Sequence, residues 1–319
     1  MSPIQQMLLG SGGAPAELLV GQYQVQIEGT YNWTVPANVE AVSVACIGGG
    51  GAGASASPWM GGGGGAVSYK NNIAVTAGSS ITVVVGVRGE NAYKSGGVVD
   101  GGDSYFSSTS VCKAEGGHSY DNGQNQSGGN ASNCVGDGSY SGGNGSGHYG
   151  GQGGKGSVSD GGAGTQYWGN PSAGGAAGSG GGGGGADGGT ALQSYAGGTK
   201  GNTGAYIGGG GGGGSGGYGY AAGGGGGGSY GSTSNGNGQA STNYKVTWVT
   251  PHILYAYPGS GGYPGGGGGG YGPNTDFTAI SGYVHWYGRG AYGGVRILYP
   301  AVYADGSVRS FPATNIGDL

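Results

Sequence analysis

GGGGGGGSGGYGYAAGGGGGG, residues Gly208 to Gly228, offers almost no side chain from which to build a core. It lies among long glycine runs at Gly180–Gly185, Gly208–Gly214, Gly223–Gly228 and Gly265–Gly270, separated by inserts rich in Tyr, Ser, Asn and Ala. Glycine has no Cβ, so such runs carry no apolar stripe and little drive toward helix or ordinary sheet. Their ordered form is the extended three-residue helix of polyproline II type, rising ~3.1 Å per residue. That helix makes no internal hydrogen bonds, so each buried N–H and C=O must pair with a neighbouring segment. Several runs in one chain can supply those neighbours to each other. The expectation is a bundle of packed polyglycine II rods, represented by Gly182, Gly211, Gly225 and Gly267, carrying loops.

Composition is compatible with order. The chain has 319 residues, 93 of them glycine, with 8% charged residues and a formal net charge of -4. Collagen is excluded because the glycines come in blocks and not at every third position. Disordered solvating tails combine few aromatics with high charge, and this chain has 24 tyrosines and little charge. The scattered Lys and Arg give no electrostatic basis for nucleic-acid binding.

No stretch reaches the ~20 apolar residues that span a bilayer. The opening MSPIQQMLLG has no Lys or Arg and does not resemble a secretory signal, so synthesis in a cytoplasm is expected. Cys46, Cys112 and Cys134 lack CxxC or zinc spacing and read as buried thiols. A Cys112–Cys134 disulfide is disfavoured in a reducing compartment.

Outward from the glycine runs, the pattern becomes β. Residues 1–22 read as an N-terminal docking arm. From Tyr23, apolar residues alternate with Gln22, Gln24 and Gln26, and a second strand is expected over Ala41–Ile47. Further short strands are expected over Ala66–Tyr69, Ile73–Thr76, Ile81–Val87, Ser104–Phe106 and Val111–Glu115, with turns at Asn71-Asn72 and Gly78-Ser79. Short strands at this spacing predict an all-β fold, a short-stranded antiparallel sandwich or roll with essentially no α-helix. The domain reading is a β domain over 23–116, a glycine-rich region with loops over 117–281, returning strands over 282–304 and a C-terminal tail over 305–319. Within the glycine region Tyr244–Tyr257 predicts a hairpin. Val295–Tyr299 is expected to lie beside the N-terminal strands.

The segment Gly29–Gly51, GTYNWTVPANVEAVSVACIGGGG, resembles the opening of the glycine-rich domain of bacteriophage tail-fibre and related virion proteins. An aromatic–x–Val–Pro motif and a Val-rich strand there lead into a glycine block. Gly61–Ala66, the turn Val75–Gly78, Val83–Gly86 and Gly101–Phe106 continue the resemblance. The segments Gly293–Tyr299 and Arg309–Asn315 are similar to the ends of glycine-rich structural proteins of tailed phages, including cyanophage-like myoviruses. The resemblance implies a virion component, such as a receptor-binding adhesin on a tail fibre. Its implied partners are other virion proteins, a host surface protein or glycan, and further copies of itself. The β domain is larger than a minimal attachment module, so a fibre, whisker or tail-surface protein is also implied.

Chemistry-bearing motifs are not found, and neither enzymatic activity, a cofactor nor a metal is expected. Gly154-Lys155-Gly156-Ser157 lacks the order of a phosphate loop. His118, His148, His252 and His285 are far apart in sequence and read as loop or surface residues. Asp100 and Asp103 read as turn residues in preference to a cation site. Recognition by loops remains, because Tyr, Ser, Gly and Asn are the residues of antibody contact loops. Tyr167, Trp168, Tyr195, Tyr255 and Tyr257 are the candidate receptor contacts, whereas Tyr218, Tyr220, Tyr263 and Tyr271 read first as packing between glycines. The alternative is a purely structural virion or extracellular-fibre protein whose inserts make subunit contacts.

Overall fold

The computed structural model describes residues 20–53, 61–92, 97–119, 126–145, 242–246, 253–257, 265–267, 288–301 and 309–312. Among these the fold is all-β, built on two antiparallel sheets, with a 3₁₀ turn at Ala131–Asn133 and no α-helix. The strands are β1 (Gly21–Val25), β2 (Gly29–Thr34), β3 (Ala41–Ile47), β4 (Val67–Ala74), β5 (Ser80–Val85), β6 (Glu90–Ala92) and β7 (Gly97–Val99). They continue as β8 (Ser104–Phe106), β9 (Cys112–Ala114), β10 (Gly138–Tyr140), β11 (Thr242–Val246), β12 (Ile253–Tyr257) and β13 (Gly294–Tyr299). The first sheet has the order β1-β13-β3-β4-β10 and the second β2-β5-β8-β9. Strand β13 sits between β1 and β3, with Gly21 opposite Tyr299 and Ile297 opposite Val44.

Alternation along β3 explains why this strand is central. Val42, Val44 and Cys46, with Val295 and Ile297 of the neighbouring β13, face the second sheet and share a core with its Val83, Val85, Phe106, Cys112 and Ala114. Ala45 and Ile47 face the other way, onto Val67, Leu298 and Phe311. A strand buried on both faces is apolar at nearly every position, as Ala-Val-Ser-Val-Ala-Cys-Ile is apart from the buried Ser43. Each fully buried Val or Ile contributes roughly 1.5–3 kcal/mol of transfer free energy. Trp33 centres an aromatic group, its ring centroid 5.8 Å from Tyr299, 6.3 Å from Phe106 and 6.4 Å from Tyr23.

Two local expectations are corrected. Asn71-Asn72 is not a turn between strands, because β4 runs unbroken from Val67 to Ala74. The irregularity is absorbed as a register shift against Val42 and Val44 on β3, with Asn72 at φ 51°. Asn tolerates that left-handed geometry, which is why it serves a bulge as readily as a turn. Gly138–Tyr140, read as low-complexity sequence, is the edge strand β10 paired with β4.

The glycine segments are continuations of the strands. Strands β3, β5, β9 and β10 lead into segments beginning at Gly48, Gly86, Glu115 and Gly142, while those ending at Ala66, Gly102 and Gly293 lead into β4, β8 and β13. Register places all these junctions at one end of the sandwich, where Ile47 lies opposite Val67 and Gly294. At the other end β1 starts at Gly21 beside Tyr299, the last residue of β13, and Arg309 donates to both backbone carbonyls, at 2.8 and 2.9 Å. The molecule is therefore polar along its strands.

Beyond the sandwich the backbone pairing changes character. Successive residues donate to different neighbours: Gly48 to Ala66, Gly49 to Gly102, Gly50 to Ala291, and Gly51 to Gly63. The same neighbour returns at every third residue. Gly50 and Gly53 reach Ala291 and Gly288; Gly63 and Ala66 reach His118 and Glu115; Gly142 and Gly145 reach Gly129 and Gln126; Gly290 and Gly293 reach Gly89 and Gly86. Side chains have no room in this packing. A Cβ on Gly65 would lie 2.0 Å from the Gly48 carbonyl oxygen, and one on Gly290 would lie 1.8 Å from that of Gly50.

Candidate recognition surface

The segment Glu115–Ser119 shows how the glycine layers are closed at their margin. Its N–H groups have five different acceptors: Cys134 Sγ for Glu115 (3.4 Å), the Asp103 carboxylate for Gly116 (3.1 Å), Gly49 O for Gly117 (2.7 Å), Ser127 O for His118 (3.0 Å), and the Asp100 carboxylate for Ser119 (2.7 Å). Positions 116 and 119 are three apart, so the two carboxylates take the donors that face away from the layers. An unpaired buried donor costs roughly 1–3 kcal/mol, which is the reason acidic residues stand here. Other margins are closed the same way, with Ser104 Oγ accepting from Gly86 N at 2.9 Å and Asn144 Oδ1 from Gly128 N at 2.9 Å. Asp100 and Asp103 are thus segment caps. Among the described residues no group of three or more acidic, His and Cys side chains is placed to hold a metal.

The segment ends far from the sandwich are gathered together. Gly53 bonds Gly288 at 3.0 Å, Ala52 N bonds Ser119 Oγ at 2.7 Å, His118 bonds Ser127 at 3.0 Å, and Gly145 bonds Gln126 at 2.7 Å. These residues flank segments 54–60, 120–125, 146–241 and 268–287. Exposed groups at this end include Val99, Asp100 and the half-buried His118, whose Nδ1 lies 3.0 Å from Asp100 Oδ2.

An Asp–His pair next to a serine invites comparison with nucleophilic catalysis. The geometry assigns it another role. The Ser119 hydroxyl donates to Val99 O at 2.7 Å and accepts from Ala52 N, and Asp100 accepts from the Ser119 backbone. A hydroxyl held between two backbone partners joins segments, and the His118 ring turns to the Asp100 carboxylate. A second surface group lies on the flank. Arg88 contacts Glu90 at 3.2 Å and stacks 4.9 Å over the Tyr292 ring, and Arg289 approaches the same carboxylate at 3.8 Å.

No family model matches the chain, and no curated protein matches it. Its reading rests on the residues themselves.

The candidate contacts Tyr167, Trp168 and Tyr195 lie outside the described residues, as do Tyr218, Tyr220, Tyr263 and Tyr271. Tyr255 and Tyr257 stand on β12, opposite Tyr244 and Thr242 of β11 in a two-stranded antiparallel sheet. Of the four representative glycines, Gly182, Gly211 and Gly225 lie outside the described residues. Gly267 lies within them, where a Cβ would meet the Gly62 carbonyl oxygen at 2.2 Å. Sequence reasoning did not find the capping role of Asp100, Asp103 and Ser119. The available signal was a carboxylate or hydroxyl at some junctions between a glycine segment and a strand, as at Asp103, Glu115 and Ser141.

Proposed function

We propose that the chain is a bacteriophage virion protein of the tail or tail fibre, and that it acts as a host-receptor-binding adhesin. The sandwich attaches to other virion proteins through its terminal pole and the N-terminal arm. The glycine segments are polyglycine II rods that hold loops at the opposite pole. The observation that carries this reading is the polarity of the fold: seven glycine segments adjoin the strands at one end of the sandwich, and Arg309 ties the start of β1 to the end of β13 at the other. A three-residue return of hydrogen-bonded neighbours supports polyglycine II, because that helix presents a new direction at each residue and repeats after three.

The alternative is a structural virion or extracellular-fibre protein whose glycine segments assemble between subunits. Gly48–Gly51 find acceptors among segments of the same molecule, which supports rods packed within one chain. No enzymatic step and no cofactor belongs to this proposal. Its partners are a host surface protein or glycan and neighbouring virion proteins, and the protein resides on the particle after synthesis in the host cytoplasm.

The test is binding of the purified, folded protein to host cells, with competition against phage adsorption. Saturable binding that slows adsorption is the expected result. Folded protein that neither binds cells nor slows adsorption, yet assembles into filaments, would establish the structural alternative.

A further inference from the structure

Cys46 on β3 and Cys112 on β9 belong to different sheets and meet in the sandwich core, where both are fully buried. Cys46 Sγ lies 3.7 Å from the backbone oxygen of Cys112, and Cys112 Sγ lies 3.8 Å from that of Ser68. Ser68 is the register partner of Cys46 across β3 and β4. Each sulfur therefore sits against backbone at the level of the other cysteine. Cα atoms of the two strands approach within 8 Å. Cys134 is engaged elsewhere, accepting from Glu115 N and donating to Asn130 O, both at 3.4 Å.

We propose that Cys46 and Cys112 are the site of an intramolecular disulfide that joins the two sheets at the base of the glycine array. All three thiols are free in the structure described here. A small-molecule disulfide is the oxidant. One cysteine thiolate attacks it and expels one thiolate, leaving a mixed disulfide on the protein. The second cysteine thiolate then attacks the protein-bound sulfur and expels the other. Both cysteines are oxidised, the small disulfide is reduced to two thiols, and those thiols take up the two protons. Burial and the adjacent Cys112 push the Cys46 thiol well above its ordinary range, so the folded reduced protein reacts slowly and closure accompanies folding or opening. The chemistry is independent of the virion reading, but outside a reducing cytoplasm the bond would fix the platform beneath the rods.

The test is refolding of the reduced chain from urea in a mixture of bis(2-hydroxyethyl) disulfide and 2-mercaptoethanol, followed by peptide mapping. The expected product has Cys46 linked to Cys112, Cys134 outside the bond, the native circular dichroism spectrum, and a thermal midpoint about 5–10 °C above the reduced protein. Cys134→Ser should give the same link, and Cys46→Ala should abolish it with folding retained. Native protein that keeps both thiols, links Cys112 to Cys134, or forms the Cys46–Cys112 bond only in misfolded material would overturn the proposal.

Discussion

Two glycines separate the reasons for using this residue. Gly78 stands in a turn at φ 75° with nothing within 4 Å of a built Cβ, so its requirement is conformational. Gly65 lies outside the left-handed region, and its requirement is space, because the Gly48 carbonyl oxygen stands 2.0 Å from where a Cβ would be. Gly78→Ala should therefore cost about 1–2 kcal/mol, the penalty of a left-handed L-residue. Gly65→Ala should cost about 3 kcal/mol or more, because backbone on both sides must separate. Urea denaturation of the two variants gives the comparison, and equal costs would remove close packing as the reason for glycine. Asp103→Ala belongs to the same scale. It strips the acceptor from Gly116 N and the partner from Lys113 (3.1 Å), and should cost about 1–3 kcal/mol by the same measurement.

At the scale of elements, the strands that sequence revealed are those whose side chains state their surroundings. Ala41–Ile47 and Ser104–Phe106 occupy the bounds expected of them, because apolar and β-branched residues mark burial locally. Gly138-Ser139-Tyr140 carries no such mark. Its place on β4 depends on Tyr140 stacking with Tyr69, at 6.3 Å between ring centroids, and on Ser68 Oγ donating to Gly138 O at 3.3 Å. Asn71 misled for a related reason. Its side chain accepts from Phe311 N and donates to Phe311 O, 240 positions away, so its value to the fold is long-range. Short glycine segments such as Gly101-Gly102 were equally illegible, because only tertiary neighbours give them order.

The same elements predict an alkaline weakness. Burial, with Tyr140 alongside, pushes the Tyr69 phenol from 10.0 up to about 12, and burial pushes the Cys134 thiol from 9.0 up to about 11. Both groups hold their protons more tightly when folded, so the stability they lend is complete below the unfolded values. It is lost as pH rises through 9–10 toward 11–12. The thermal midpoint should fall across that window, and Tyr69→Phe with Cys134→Ser should flatten the decline. An unchanged slope in the double variant would show that neither group governs it.

At the scale of the whole molecule, a sandwich built mainly on apolar residues fixes where the seven described glycine segments that adjoin its strands start or end. The segments then need no side chains to find register, because their separation and direction are set by the strands they continue. Margins are closed by Asp100, Asp103, Ser104 and Asn144, so few polar residues suffice to terminate the array. An array terminated this way should tolerate exchange of the segments that follow Gly53, Ser119 and Gly145. Replacing residues 120–125 with an unrelated polar sequence of equal length should leave the thermal midpoint within a few degrees, while altering cell binding if the proposed adhesin role holds.

Amide hydrogen exchange of Gly48–Gly53 and Gly61–Ala66 tests the central claim most directly. Packed glycine segments whose N–H groups bond to neighbouring segments should exchange as slowly as β3, which they continue, despite carrying hardly any side chain. Exchange of these amides at the rate of an unstructured chain, with β3 still protected, would contradict it.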